Sequence, residues 1–226
     1  MEYEAMKKAV GYKAAEFITD GMTVGLGTGS TVFYFIEKLI EKVNKGLKIR
    51  AVSSSNRSLE QASKGGIPIC DINTLSHIDI TVDGADEIDS LKKMIKGGGG
   101  ALLREKILAS MSKEMIVVID ESKLAHKLGS KKLPVEVIPF ANQVTLHKIQ
   151  RIQTKSELRK NADGSLYTTD NGNCIVDVHL DKLLDQPENL DLLLKKIPGV
   201  VETGFFFNLA GRVIVGFNDG QVVVKP

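Results

Sequence analysis

Cysteine is nearly absent from this sequence: Cys70 and Cys174 are the only two in 226 residues, and neither stands in a CxxC or Cys/His spacing. A zinc site and a disulfide framework are therefore not expected, and both thiols read as core residues. Histidine is sparse as well, and His77, His126, His147 and His179 fall in no motif. No G-x-S-x-G elbow is present, which removes the usual signature of a serine hydrolase. Asp83, Ala85, Glu87 and Ile88 do not match the first, third, fifth and sixth positions of an EF-hand loop, so no metal is expected. No run approaches the roughly 18 apolar residues of a membrane span, and the opening MEYEAMKK lacks a hydrophobic signal segment. The expectation is a soluble cytoplasmic protein without a membrane partner. Lys and Arg number 30 against 28 Asp and Glu, too small a surplus to suggest a nucleic-acid partner.

What is present is an ordinary globular composition, 42% hydrophobic and 26% charged, arranged in a repeating grammar. A helix over Glu2–Ile18 stops at Asp20-Gly21. A strand over Met22–Leu26 runs into GTGST, and Val32, Phe35, Ile36, Leu39, Ile40 and Val43 then repeat at helical spacing. Leu47–Val52 reads as the next strand and ends in Ser53-Ser54-Ser55. A helix through Leu59 and Ala62 stops at Gly65-Gly66, and Ile67–Cys70 and Ile78–Val82 read as further strands. After a glycine run come a helix over Ala101–Met111 and a strand over Met115–Asp120. Strands alternating with helices imply a parallel sheet covered on both faces, with ligands outside the carboxyl ends of its strands.

From Val135 the order changes to strand (Val135–Ile138), helix (Gln143–Gln153), two strands flanking the turns at Asp163-Gly164 and Asn171-Gly172, helix (Glu188–Lys196) and strand (Val200–Gly204). That is the split βαβ, ferredoxin-like order. Arg212–Phe217 and Gln221–Val224, separated by Asn218-Asp219-Gly220, read as a hairpin that can return to the first sheet. The fold class is therefore α/β, a parallel sheet with a second, smaller ferredoxin-like α+β lobe. The expected boundaries are residues 1–130 plus about 205–226 for the first domain and 131–204 for the second.

Two stretches carry chemistry. Asp83 to Glu105, DGADEIDSLKKMIKGGGGALLRE, holds Asp83 and Asp86 three apart, then Lys96, four consecutive glycines (Gly97 to Gly100) and Glu105 near a helix start. So many charges beside so flexible a backbone suit the holding and ionising of a small polar ligand; the competing reading is a solvated acidic turn with a surface glycine loop. The loop from Gly25 to Thr31 can cradle an anion on backbone N–H groups at a helix N-terminus, with Thr28, Ser30 and Thr31 adding hydroxyl donors. It is neither a Walker A nor a GxGxxG motif, and the next strand ends in serines where a dinucleotide site wants an acid, so a phosphate on a small sugar fits better. A purely structural tight turn is its competing reading. Together these residues suit removal of a proton beside a carbonyl. Glu105 acts as base, Lys96 and the N–H groups around Gly97 to Gly99 hold the developing negative charge, and Asp83 and Asp86 move hydroxyl protons.

With GLGTGST, AVSSSNRS, TVDGADEID, IKGGGGALLREKI, DESK, LPVEVIPFA, TDNGNCIVDV and IPGVVETGFF in this order, the chain closely resembles the A-type ribose-5-phosphate isomerases over nearly its whole length. The resemblance implies interconversion of ribose 5-phosphate and ribulose 5-phosphate through an enediol in the non-oxidative pentose phosphate pathway, without a cofactor. It also implies a Rossmann-like parallel sheet domain with an inserted ferredoxin-like α+β lobe, which agrees with the order of strands and helices. Carried over by position, it implies substrate contacts at Thr28, Gly29, Ser30 and Thr31, at Asp83, Gly84, Ala85 and Asp86, and at Lys96, Gly97, Gly98 and Gly99. Glu105 is then the proton acceptor and Asp83 assists ring opening. Lys123 of DESK is a further substrate contact, and Lys7 lies near the phosphate. A homo-oligomer, dimer or tetramer, is also implied. Many members have alanine after the third glycine; Gly100 here is expected to loosen the turn before Glu105. A sugar-phosphate sensor is the competing function. It needs a DNA-reading module, for which no room is expected ahead of the first strand, and it has no need of Glu105. CoA transfer through a covalent glutamate is the other alternative.

Overall fold

The computed structural model describes residues 2–226 and forms two units. One takes the chain up to Ala85, Arg104–Lys123 and Asn208–Pro226; the other takes Asp86–Leu103 and Leu124–Phe207. Helices and strands are numbered in chain order.

The first unit is built on short β-branched strands: β1 (Thr23–Leu26), β2 (Arg50–Ser53), β3 (Ile78–Asp83), β6 (Ser112–Asp120), β12 (Ala210–Gly216) and β13 (Val222–Lys225). Their order is β13-β12-β6-β3-β1-β2; every pairing is parallel except the β12–β13 hairpin, which closes one edge. All four residues of β1 are buried, as a strand covered on both faces requires. Helices α1 (Glu2–Ala15), α2 (Ser30–Asn44) and α3 (Asn56–Lys64) belong to this unit, with α4 (Leu102–Met111) from Arg104 onward. Val10, Phe35, Ile36 and Leu39 from the helices pack with Val24, Leu26, Val82, Val118 and Ile214 from the sheet in the main core. A smaller cluster gathers Val52, Ile78 and Leu108, with half-buried Cys70 against it.

The expected strand at Ile67–Cys70 is not formed. Ile69 makes only an isolated bridge to Ala51, because Pro68 has no N–H to give a ladder. α1 ends three residues earlier than its apolar spacing suggests, and β6 begins three residues earlier, at Ser112. β1 lies between β2 and β3, so successive connections leave it in opposite directions. Such a switch point opens a crevice at the carboxyl ends of β1 and β3, where Gly27 and Asp83 stand.

In the second unit, β7 (Leu133–Val137), α5 (Asn142–Gln150), β8 (Ser156–Leu158), β9 (Cys174–Val178), α6 (Pro187–Lys195) and β10 (Val200–Thr203) follow in that order. The sheet order β10-β7-β9-β8, antiparallel throughout, is fourth-first-third-second, the ferredoxin-like arrangement. Leu133, Val135, Val137, Val176 and Val178 pack with Leu146, Ile149, Leu190 and Leu194 of the two helices. The alternate positions of the same strands, Glu136 and Asp177, belong to the other face and are buried polar residues. Three two-residue strands, β4 (Glu87–Ile88), β5 (Met94–Ile95) and β11 (Phe205–Phe206), make a further small sheet.

Candidate active site

In the first unit the loop after β1 and the end of β3 are tied together by one carboxylate. Asp83 is fully buried, and its Oδ1 accepts the N–H groups of Thr28 (3.0 Å) and Gly84 (2.8 Å). Gly27 has to be glycine: a Cβ there would lie 2.3 Å from the Asp83 carboxyl. The serines after β2 brace the same loop. Ser54 Oγ donates to the Leu26 carbonyl (3.1 Å) and lies 2.9 Å from Thr28 Oγ1, while Ser58 Oγ donates to the Gly27 carbonyl at 2.7 Å. Gly29 caps α2 without a side chain, and Ser30 and Thr31 open the helix, leaving its first-turn N–H groups to an anion.

One acid not expected at the site, Asp120, feels the charge of Lys123 and binds Tyr3, on whose ring Lys7 sits. Asp120, at the carboxyl end of β6, accepts from the Tyr3 hydroxyl (2.9 Å) and from the Ser122 N–H (3.0 Å). Burial works to raise its pKa, but the bonds from Ser122 and Tyr3 and the charge of Lys123 outweigh it and hold the carboxyl below its ordinary value. The Tyr3 hydroxyl is pushed up, by burial first and then by Asp120. Lys7 Nζ lies 4.2 Å from the centre of the Tyr3 ring and 3.3 Å from Glu4. Glu105 stands in the first turn of α4 and is 4% exposed; beside it Arg104 donates to Asn56 at 3.3 Å.

The remaining expected site residues belong to the second unit, apart from half-buried Ala85, the last residue of the first unit's opening segment. Asp86 Oδ2 accepts the Gly98 N–H at 2.7 Å, joining the acid motif to the glycine run. Glu87, its neighbour, has a different task. It is 1% exposed and accepts the N–H groups of Gly129 (2.8 Å) and Ser130 (3.0 Å) and the Ser130 hydroxyl, which makes it a clasp for that loop. Lys96 is 2% exposed, its backbone N–H bonds Gly204, and its Nζ lies 5.3 Å from the centre of the Phe206 ring. Two side chains unread in the sequence hold the glycines. Arg159 donates to the carbonyls of Gly97 and Gly98, and the Tyr167 hydroxyl donates to Gly99, each at 3.1 Å.

Gly100 does not loosen the turn as expected. Its N–H closes the turn onto the Gly97 carbonyl at 3.0 Å, its φ is 83°, and a Cβ would fall 2.2 Å from the Tyr167 hydroxyl. Gly100→Ala is expected to destabilise the protein by roughly 1–3 kcal/mol from backbone strain alone and to lower turnover by displacing Tyr167. Denaturant unfolding alongside steady-state kinetics checks both. No cluster of three or more His, Cys, Asp or Glu side chains suited to a metal occurs among the described residues, and none of their helices is long and apolar enough to cross a membrane.

The first unit thus carries a braced loop at a sheet switch point, and the second an acid-and-glycine loop with a buried lysine, both in an α/β chain. The chain belongs to the ribose 5-phosphate isomerase A (phosphoriboisomerase A) family, whose model matches residues 50–220. Ribose-5-phosphate isomerase A of Protochlamydia amoebophila is 53% identical over 218 residues, covering 96% of this chain and 94% of that one. The Thermoplasma acidophilum protein of that name is 47% identical, covering 97% and 91%. Among solved structures, ribose 5-phosphate isomerase from Plasmodium falciparum superposes with a TM-score of 0.94 at 37% identity, covering 98% of both chains. A D-ribose-5-phosphate isomerase in complex with phospho-erythronic acid superposes with a TM-score of 0.90 at 39% identity, covering 97% of both.

Proposed function

We propose that the protein interconverts ribose 5-phosphate and ribulose 5-phosphate through an enediolate, without a cofactor, in the non-oxidative pentose phosphate pathway. The observation that carries the reading is likeness to this isomerase family across 96% of the chain, with each of the proposed site residues present. Asp83 assists opening of the furanose ring by moving the C1 hydroxyl proton toward the ring oxygen. The Glu105 carboxylate then takes the proton from C2 of the open aldose, and the electron pair moves through C1 onto O1. The Lys96 ammonium steadies the charge on O1. Of the loop's N–H groups, that of Gly98 goes to Asp86 and that of Gly100 to Gly97, which leaves those of Gly97 and Gly99 for the oxyanion. Asp86 helps carry a proton from O2 to O1, and Glu105 returns its proton to C1 to give the ketose.

Thr28, Gly29, Ser30 and Thr31 hold the phosphorylated chain, with Lys7 near the phosphate and Lys123 as a further contact; Gly84 and Ala85 line the acid motif. Of the catalytic groups, Asp83 and Glu105 belong to the first unit and Asp86 and Lys96 to the second, although all four fall within the expected first-domain bounds of 1–130 plus about 205–226. A homo-oligomeric state, dimer or tetramer, and a cytoplasmic location complete the reading. The phospho-erythronic acid held by the related enzyme fits this chemistry, because a carboxylate on a phosphorylated polyol spreads negative charge over two oxygens as an enediolate does.

The test is proton NMR of ribose 5-phosphate with chelator-treated protein in D₂O. Ribulose 5-phosphate appearing with deuterium at the carbons beside the carbonyl is expected. Saturable broadening of the sugar-phosphate lines without turnover would instead favour a sensor.

A further inference from the structure

We propose that Arg159, clamped by Asp177, is a positioning residue for the isomerisation: it fixes the carbonyls of the glycine loop so that the Gly97 and Gly99 N–H groups stay set for the oxyanion. The inference rests on the isomerase reading and adds a part to its machinery that touches no reacting atom.

Arg159 follows β8, and its side chain, 10% exposed, meets Asp177 of β9, which is 2% exposed. Its Nε donates to Asp177 Oδ2 at 3.0 Å and its Nη2 to Oδ1, while Lys132 Nζ lies 2.6 Å from Oδ2. Burial works to raise the Asp177 carboxyl, yet Arg159 and Lys132 together outweigh it and hold the group below its ordinary value. An ion pair this deep adds little net stability compared with apolar packing, so its worth lies in what it orients. What it orients is the third nitrogen: Nη1 donates to the carbonyls of both Gly97 and Gly98 at 3.1 Å.

Tyr167 extends the same device by one residue. Its N–H bonds the Arg159 carbonyl at 3.0 Å, its ring centre is 5.6 Å from Arg159 Cζ, and its hydroxyl takes the Gly99 carbonyl. Three successive carbonyls of a glycine run are thus held by two side chains of the ferredoxin-like unit. Glycine loses more backbone freedom on ordering than any other residue, and donors serve an oxyanion best when no reorganisation is needed at the moment of reaction. A planar fork holds the carboxylate on one edge and the two carbonyls on another; a lysine's compact ammonium concentrates its donors at one point and does not span both edges.

Arg159→Lys, Arg159→Met and Tyr167→Phe test this, read by kcat and KM for ribose 5-phosphate, thermal midpoint, and the ¹⁵N amide shifts of Gly97 and Gly99. Arg159→Lys is expected to stay folded with KM near wild type, to lose on the order of 10²-fold in kcat, and to move both glycine amides. Tyr167→Phe is expected to show a smaller loss of the same kind and keeps the test in force where Arg159→Met fails to fold. A folded Arg159→Lys protein with wild-type kcat, or with both amide shifts unmoved, overturns the proposal. Wild-type protein that does not turn over ribose 5-phosphate sinks the isomerase reading instead, and the amide shifts then still decide whether Arg159 positions the loop.

Discussion

Glu105→Gln is expected to lose on the order of 10³-fold or more in kcat while binding sugar phosphate almost as wild type does. The effect lies at the upper part of the range for a positioned general base, because one carboxylate is asked both to take the C2 proton and to return it to C1. Glu105 occupies the first turn of α4, where the helix N-terminus favours negative charge, and only 4% of it is exposed. Glutamine fills nearly the same volume, so the packing of Leu102 and Leu108 on the same helix is undisturbed. An amide has no basic oxygen to hold a proton at neutral pH, so deuterium entry from D₂O should vanish together with turnover. Titration calorimetry with phospho-erythronic acid separates binding from chemistry. Near-normal turnover by Glu105→Gln would remove the proton-shuttle role, and CoA exchange by the wild-type protein that the Gln substitution abolished would point to covalent catalysis by Glu105 instead of isomerisation.

The parallel sheet was legible because its apolar, β-branched runs are closed by a glycine, serine or acid, and after β1 and β2 helical spacing follows. The ferredoxin-like order was legible for the same reason. The two-residue strands β4, β5 and β11 were not, since two residues carry no period, and Ile67–Cys70 misled because its apolar character outweighed Pro68. The site was legible where its parts are contiguous, as in the acid motif and the glycine run. Residue type alone did not separate the acids by task. Asp83 and Asp86 hold the N–H groups of the loops that carry the proposed site, whereas Glu87, one residue on, clasps Gly129 and Ser130. Arg159 and Tyr167 act on glycines more than sixty residues away in the chain, Arg159 lying 61 residues after Gly98, so no local spacing marks them. Asp120 carried one available signal: it stands at the carboxyl end of β6, beside β3, where an α/β sheet places its ligands.

Lys96→Met should cost on the order of 10²–10³ in kcat/KM, through weaker binding and slower turnover alike. The side chain is 2% exposed, and its ammonium sits 5.3 Å from the centre of the fully buried Phe206 ring, a separation at which the ring face attracts the cation. A charge kept that deep acts through little intervening water, so its effect on a developing oxyanion exceeds that of an exposed lysine. Methionine retains most of the volume and removes the charge; alanine removes both and leaves a space beside Phe206. Equal kinetic losses in Lys96→Met and Lys96→Ala, with a lower thermal midpoint only in the alanine variant, would locate the effect in the charge. Arginine is not expected to rescue either, since a planar fork replaces a compact point charge where the chain is already held by the Lys96 N–H to Gly204 bond. Phospho-erythronic acid should lose more affinity than ribose 5-phosphate in Lys96→Met, because the acid carries its negative charge before any reaction. Equal losses for the two ligands would mean that Lys96 serves binding alone and that the oxyanion is held by the Gly97 and Gly99 N–H groups.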